Sequence, residues 1–244
     1  MTSRILFFYK HLFISILIIT ILLGWIFFVW YPQPLFKAVG VLHIVLLLVF
    51  IDVILGPLLG LFVYKDGKKT LKVDLFIIVC IQVLALGYGI YHIEQGRPVW
   101  IVFSIDQFEV VRKNEIYEAN LIQASKEFQT PTFLSPKLIA AEFSVKSKQK
   151  QNEMFDELFR GIAISQRPER YTPLSQGVGK IKKKSQSFDE LNRFNEKRQV
   201  ENIIKKYPTA TAWLPLKANA VDMVVLINKE KGEVVKIVDL RPWK

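Results

Sequence analysis

Residues 12–31 read LFISILIITILLGWIFFVWY, twenty residues interrupted among polar types only by Ser15 and Thr20. At about 1.5 Å of rise per residue such a run matches a hydrocarbon core of about 30 Å, so it predicts a membrane-spanning helix. Arg4 and Lys10 precede it, and Trp25, Trp30 and Tyr31 close its far end as an interfacial aromatic belt would. The run exceeds the apolar core of a signal peptide, and no small-x-small cleavage site precedes Pro32, which predicts an uncleaved anchor.

Two more apolar runs follow. Residues 41–64 contain Asp52, Gly56, Pro57 and Gly60, and residues 75–93 contain Gln82, Gly87 and Gly89. Composition agrees with this segregation. The 244 residues are 51% hydrophobic and carry 33 Lys and Arg against 22 Asp and Glu, yet residues 1–93 hold only seven of the former and three of the latter. The sequence therefore predicts an integral membrane protein. Residues 1–93 form three N-terminal transmembrane helices, about 12–31, 41–64 and 75–93, and residues 94–244 form an extracytoplasmic α+β domain. Arg4, Lys10, Lys65, Lys68, Lys69 and Lys72 fall on one side and Lys37 alone on the other. The positive-inside rule then places the N-terminus and the second loop in the cytoplasm, and residues 94–244 in the periplasm of a bacterial inner membrane.

Asp52 lies near the middle of the second run, where a carboxylate costs about 2.5–3.5 kcal/mol on insertion scales. Residues 52, 56 and 60 share one helix face, so the acid lies in line with a Gly56/Gly60 pair that admits a close backbone. Pro57 removes the hydrogen bond to the Val53 carbonyl and loosens the helix beside the acid. Three readings stand: a protonated Asp52 bonded to Gln82 or Thr20 within its own bundle, a contact with another protein's helix, or a proton or ion pathway. The candidate partner-binding residues are Asp52, Gly56, Pro57 and Gly60. An intramembrane aspartyl pair of Asp52 with Asp74 is excluded by depth, since about 18 Å of helix separates Asp52 from the cytoplasmic edge where Asp74 begins the third span.

In residues 94–244 the stretch Val99–Phe103 reads as a strand, with Phe108–Val111 as its continuation or bent partner. Glu115–Phe128 reads as a short helix with Ile116, Leu121 and Ile122 inward, and Leu138–Phe143 as a strand. Gln149–Arg160 reads as a helix with Met154, Phe155, Leu158 and Phe159 on one face, ended by Gly161. Residues 163–179, with two prolines and two glycines, read as loop. Ser187-x-x-Glu190 reads as a capping box opening a helix to about Lys206, stopped by Tyr207-Pro208. Residues 221–228 and 233–240, separated by Lys229-Glu230-Lys231-Gly232, form the clearest hairpin in the chain.

Chemistry-bearing motifs are absent: there is no GxSxG, HExxH or P-loop. The one cysteine, Cys80, lies in an apolar run, and the histidines His11, His43 and His92 all precede residue 94, which excludes a Cys/His zinc site from the outer domain. No metal, no cofactor and no catalytic residue is expected. The run Lys180, Lys182, Lys183 and Lys184 reads as a solvated face rather than a nucleic-acid site, since topology places it outside the cytoplasm.

The three spans, the stretch Asp52-Val53-Ile54-Leu55-Gly56-Pro57-Leu58-Leu59, the loop Gly67-Lys68-Lys69-Thr70-Leu71-Lys72-Val73-Asp74-Leu75, and Arg97-Pro98-Val99-Trp100 leading to Asp106-Gln107-Phe108-Glu109-Val110-Val111 together resemble the TfpX/TfpZ family of type IV pilin accessory proteins. The resemblance is strongest over residues 41–111; further on it is carried by Arg167-Pro168, Trp213–Leu216 and the terminal hairpin. It implies a non-enzymatic inner-membrane factor that assists a type IV pilin's stability, assembly or surface display by binding it, with the pilus assembly machinery as a further partner. The competing class is a membrane-anchored envelope enzyme, a transferase acting on pilin or glycan, which requires a convergent polar pocket with a nucleophile in residues 94–244.

Overall fold

A computed structural model describes residues 3–243. The chain forms two compact units, Met1–Pro32 with Val41–Gly96, and Gln33–Gly40 with Arg97–Lys244.

The first unit is helical. Its three helices, α1 (Ser3–Trp30), α3 (Leu42–Val63) and α4 (Leu71–Gln95), are each long and apolar enough to cross a membrane. α1 starts nine residues before the expected Leu12 and α4 four before Leu75. Arg4 explains the first extension: its Nε donates to the Leu61 carbonyl at 2.7 Å, fixing the start of α1 to the end of α3. Both α1 and α4 pack on α3 rather than on each other. The central helix is one-third buried over its most apolar window, against 17% for α1 and 11% for α4. Outward-facing Phe13, Phe28, Phe62, Phe76 and Leu84 are exposed.

The second unit includes the segment joining α1 to α3, which contributes the short helix α2 (Leu35–Val39). Leu35, Phe36, Ala38 and Val39 are buried there. The Ala38 carbonyl accepts hydrogen bonds from the Ala220 and Val221 amides at 2.9 and 3.1 Å. Lys37 donates to Asp239 at 2.6 Å. Gly40 ends α2 with φ +79°, and a side chain there would also meet the Ala220 methyl at 2.6 Å.

The rest of this unit is a seven-stranded mixed sheet in the order β4-β3-β1-β2-β5-β6-β7. Its strands are β1 (Pro98–Ser104), β2 (Gln107–Arg112), β3 (Lys137–Ala141), β4 (Tyr171–Pro173), β5 (Ala212–Lys217), β6 (Met223–Asn228) and β7 (Glu233–Val238). β1 and β2 form an antiparallel hairpin with Phe103 opposite Phe108, β3 runs parallel to β1, and β5 runs parallel to β2. Every residue of β1 is buried because both sheet faces are covered. Trp100 packs edge-on to Phe128 and Tyr171, at centroid distances of 6.0 and 5.8 Å, on one face. Phe103 meets Gly177 on the other. The expected terminal hairpin is β6–β7, its turn closed by Gly232 at φ +73°.

Helices α5 (Ser147–Arg160), α6 (Leu174–Lys184) and α7 (Lys197–Lys206) complete the unit. Three expectations need correction. Residues 163–179 are not all loop, because α6 runs through Gly177 and Gly179. Gly177 is there for close approach: a Cβ on it would stand 3.2 Å from both Phe103 and Ala140. The lysine run is thus the end of a helix, with Lys180 paired to Glu142 at 2.8 Å. The helix expected from Ser187 to Lys206 is broken into a 3₁₀ segment (Phe188–Arg193) and α7. Asn195 sits in the break, its side chain bonding the Leu191 carbonyl and both backbone groups of Arg241. Glu115–Phe128 is not one helix but a 3₁₀ segment, Glu118–Gln123, followed by a single α-helical turn, Lys126–Gln129, and Ile122, expected inward, is 93% exposed.

Candidate functional site

In the helical unit, α1 and α4 flank α3 with a groove between them. Its volume is about 400 Å³. Phe7, Ile14 and Ile18 of α1 form one wall and Val79, Val83 and Leu86 of α4 the other, with Lys10, His11, Ser15, Asp52 and Gln82 as polar lining. The local backbone follows from Pro57. With no N–H at that position the helix cannot close its usual bond, and the preceding Phe50–Leu55 winds as a wider π turn that carries Asp52. Asp52 and Gln82 are 6% and 8% exposed.

The four residues singled out in the sequence separate here. Gly56 is filled by Gln82, whose Nε2 lies 1.7 Å from where a Cβ would stand and donates to the Asp52 backbone carbonyl at 3.3 Å. Gly60 is filled by Phe7 and His11, at 2.8 and 3.3 Å. Pro57 is buried in the bundle. Asp52 alone of the four lines the groove. Its carboxyl is bonded by neither of the partners expected from the sequence: Gln82 is spent on the backbone, and Thr20 donates to the Ile16 carbonyl of its own helix at 2.7 Å. The Asp52 Oδ2 and Gln82 Oε1 atoms are buried without a hydrogen-bond partner.

Gly56→Ala should therefore displace Gln82 and lower the stability of the helical unit by about 1–3 kcal/mol, the usual cost of overpacking. Thermal unfolding in detergent measures this. Gly24→Ala, where a methyl would meet nothing within 4 Å, should leave the transition unchanged.

In the sheet unit, α5 is mounted inside out. Met154, Phe155, Leu158 and Phe159 share a face as the spacing predicts, and the rings of Phe155 and Phe159 lie 4.3 Å apart. That face points away from the unit, however, with exposures of 45%, 58%, 77% and 71%. The inward residue is Glu153, 3% exposed, which accepts from the Ser144 amide at 2.9 Å and from Arg170 at 2.6 Å. Asp156 accepts from Arg167 at 2.6 Å and from Arg160 at 3.2 Å. The Arg167 guanidinium holds its carboxyl below the usual carboxylate range. Arg167 is itself buried and lies 4.7 Å over the Tyr117 ring. Ion pairs on the polar face thus fix the helix and leave the apolar face free. Sequence reasoning found the apolar face but not its direction. The available signal was Glu153 and Asp156 at i, i+3 with Arg167 and Arg170 shortly after.

A second polar cluster surrounds Glu109, in a cavity of about 160 Å³ that Ser165 and Lys217 also line. The Ser165 hydroxyl donates to Glu109 at 2.6 Å, and Gln107 donates to the other carboxylate oxygen at 3.1 Å. Burial, and then the Glu109 charge, push the nearby Glu157 carboxyl up against the opposing pull of Lys217 and Arg167. Ser165 is 1% exposed, and its hydroxyl is spent as a donor on Glu109. Among the described residues no three His, Cys, Asp or Glu side chains are grouped to hold a metal ion.

No family model matches the chain, and no solved structure matches it. Two curated proteins of Dichelobacter nodosus, the fimbrial assembly proteins of serogroup E1 and of serogroup I, are each 33% identical to it over 230 residues, covering 90% of this chain and 88% of their own length. The fimbrial assembly protein of serogroups C1 and C2 from the same organism is 39% identical over 117 residues, 47% of this chain and 88% of its own.

Proposed function

We propose that this chain, which belongs to the family of fimbrial assembly proteins, is a non-enzymatic factor of the bacterial inner membrane that binds a type IV pilin and assists its stability, assembly or surface display. The observation that carries this is the outward apolar face of α5. Contiguous exposed apolar surface on a folded unit marks a place where another molecule docks. Here the cost of exposing two phenylalanines, a leucine and a methionine is borne by buried ion pairs that hold the helix the wrong way round for its own core. A fimbrial subunit is the occupant in keeping with what the relatives are named for.

The orientation we propose puts the N-terminus in the cytoplasm and the sheet unit in the periplasm. It is supported by α2. The segment between α1 and α3 is part of the same compact unit as residues 97–244, so both lie on one side of any membrane that the helices cross. Three crossings give that parity. The lysine-rich loop around Lys68 then falls on the opposite side, as positive charge in a cytoplasmic loop should. The finer assignment we propose, to the TfpX/TfpZ accessory group, is supported by the resemblance over residues 41–111.

Deleting the gene in a strain that carries its own pilin should remove most surface fimbriae while leaving pilin transcript unchanged, and the intact gene supplied in trans should restore them. Electron microscopy counts of fimbriae with parallel transcript measurement read the result. Unchanged fimbriation in the deletion strain would contradict the proposed role.

A further inference from the structure

The polar lining of the groove between α1 and α4 specifies the chemistry of what enters it. Gln82 uses its Nε2 on the Asp52 backbone, so the atom left over, Oε1, can only accept a hydrogen bond. Asp52 Oδ2 is also unpartnered, and its side chain is more than nine-tenths buried, as is that of Gln82. Buried polar atoms in native structures find partners, and in an apolar surrounding that need is stronger. A lipid chain offers no donor and satisfies neither atom.

The two groups lie at the middle of their helices, Asp52 within Leu42–Val63 and Gln82 within Leu71–Gln95, and Ser15 lies near the middle of Ser3–Trp30. The α1 wall extends from Phe7 to Ile19, about 18 Å of helix at 1.5 Å per residue. A site this elongated, apolar on both sides and open laterally, has the form of a seat for a helix rather than for a compact solute. A second copy of the chain supplies no basic donor at that depth, because the Lys and Arg of its own spans, Arg4, Lys10 and Lys72, lie in the first third of their helices. Lys10 does line the groove, but toward the start of α1, and it makes no ion pair with Asp52; His11 beside it also lines the groove, and its Nδ1, near Gly60, is buried without a hydrogen-bond partner and leaves Gln82 Oε1 unpartnered too.

We propose that this groove receives a transmembrane helix of a partner protein that presents a basic, hydrogen-bond-donating side chain to Asp52 and Gln82 at mid-membrane depth. The inference rests on the reading of α1, α3 and α4 as membrane spans and deepens the binding role proposed above by naming the recognised group.

The test uses the full chain, fluorescently tagged at its C-terminus and reconstituted in phosphatidylcholine vesicles, with synthetic 23-residue Leu/Ala helices whose central residue is Lys, Leu or Glu. Energy transfer reports association. The Lys helix should associate about tenfold more tightly than the Leu helix, and the Glu helix no more tightly than the Leu helix. Asp52→Leu should erase the preference for Lys. Ile18→Trp, which fills the groove from the opposite wall and leaves Asp52 in place, should erase it too, so the result does not depend on how well one variant folds. Equal association of the Lys and Leu helices, tightest association of the Glu helix, or a Lys preference that survives both substitutions would each overturn the proposal. If any of these occurs while gene deletion still removes fimbriae, the groove inference fails and the assembly role stands.

Discussion

Replacing Arg167 by alanine should destabilise the sheet unit by about 3–5 kcal/mol, the cost of breaking a buried ion pair from one side. Arg167 is 3% exposed and serves two acids at once, Asp156 at 2.6 Å and Glu169 at 3.4 Å. Glu169 has a side chain only 2% exposed, and without the guanidinium it keeps only the Asn120 amide at 3.0 Å. The substitution also removes one of the ties that orient α5 and the cation stacked on Tyr117. Arg167→Met, which retains apolar volume, should lose nearly as much, because the stranded acids rather than the cavity dominate. Chemical unfolding in detergent, followed by tryptophan fluorescence, reads the difference.

The pH dependence follows from the same pair. Arg167, with lesser help from Arg160, lowers the folded-state pKa of Asp156 below its ordinary value. A depressed carboxylate contributes stability that is present above the ordinary carboxylate pKa and is lost as pH falls through the folded value. The wild-type chain should therefore lose stability on acidification below about pH 4, and Arg167→Ala should show a shallower loss over that range.

How much of this was legible beforehand depended on whether a residue's role was set locally. The three apolar runs and the β6–β7 hairpin could be read because length, hydropathy and the Lys229–Gly232 turn are local signals. Leu35–Val39 could not: four apolar residues beside a span look like its fringe, and only the distant Ala220 and Asp239 reveal that they belong to the sheet unit. Gly177 reads as a loop residue by composition, whereas its role is to let α6 lie close on Phe103 and Ala140. For Asp52 the mid-helix depth was legible. That Gln82 would occupy Gly56 and bond the backbone rather than the carboxyl depends on the packing of α4 against α3. Periodicity identified the apolar set on α5, but a helix pattern carries no information about which side faces inward. That was decided by Arg167 and Arg170, whose charges draw the acidic face in.

The outward face of α5 also carries the second large expected effect. Phe155, Leu158 and Phe159 are 58%, 77% and 71% exposed and contribute little to the unit's own core. Changing all three to serine should leave folding intact and remove about 3 kcal/mol of partner-covered apolar surface, roughly a hundredfold in affinity. The measurement is the dissociation constant between the full chain in phospholipid nanodiscs and the purified pilin of its own host. We expect saturable binding by the wild-type chain and about hundredfold weaker binding by the Phe155→Ser, Leu158→Ser, Phe159→Ser variant at unchanged thermal stability. Absence of binding by the wild-type chain, or equal affinity for both proteins, would contradict the account.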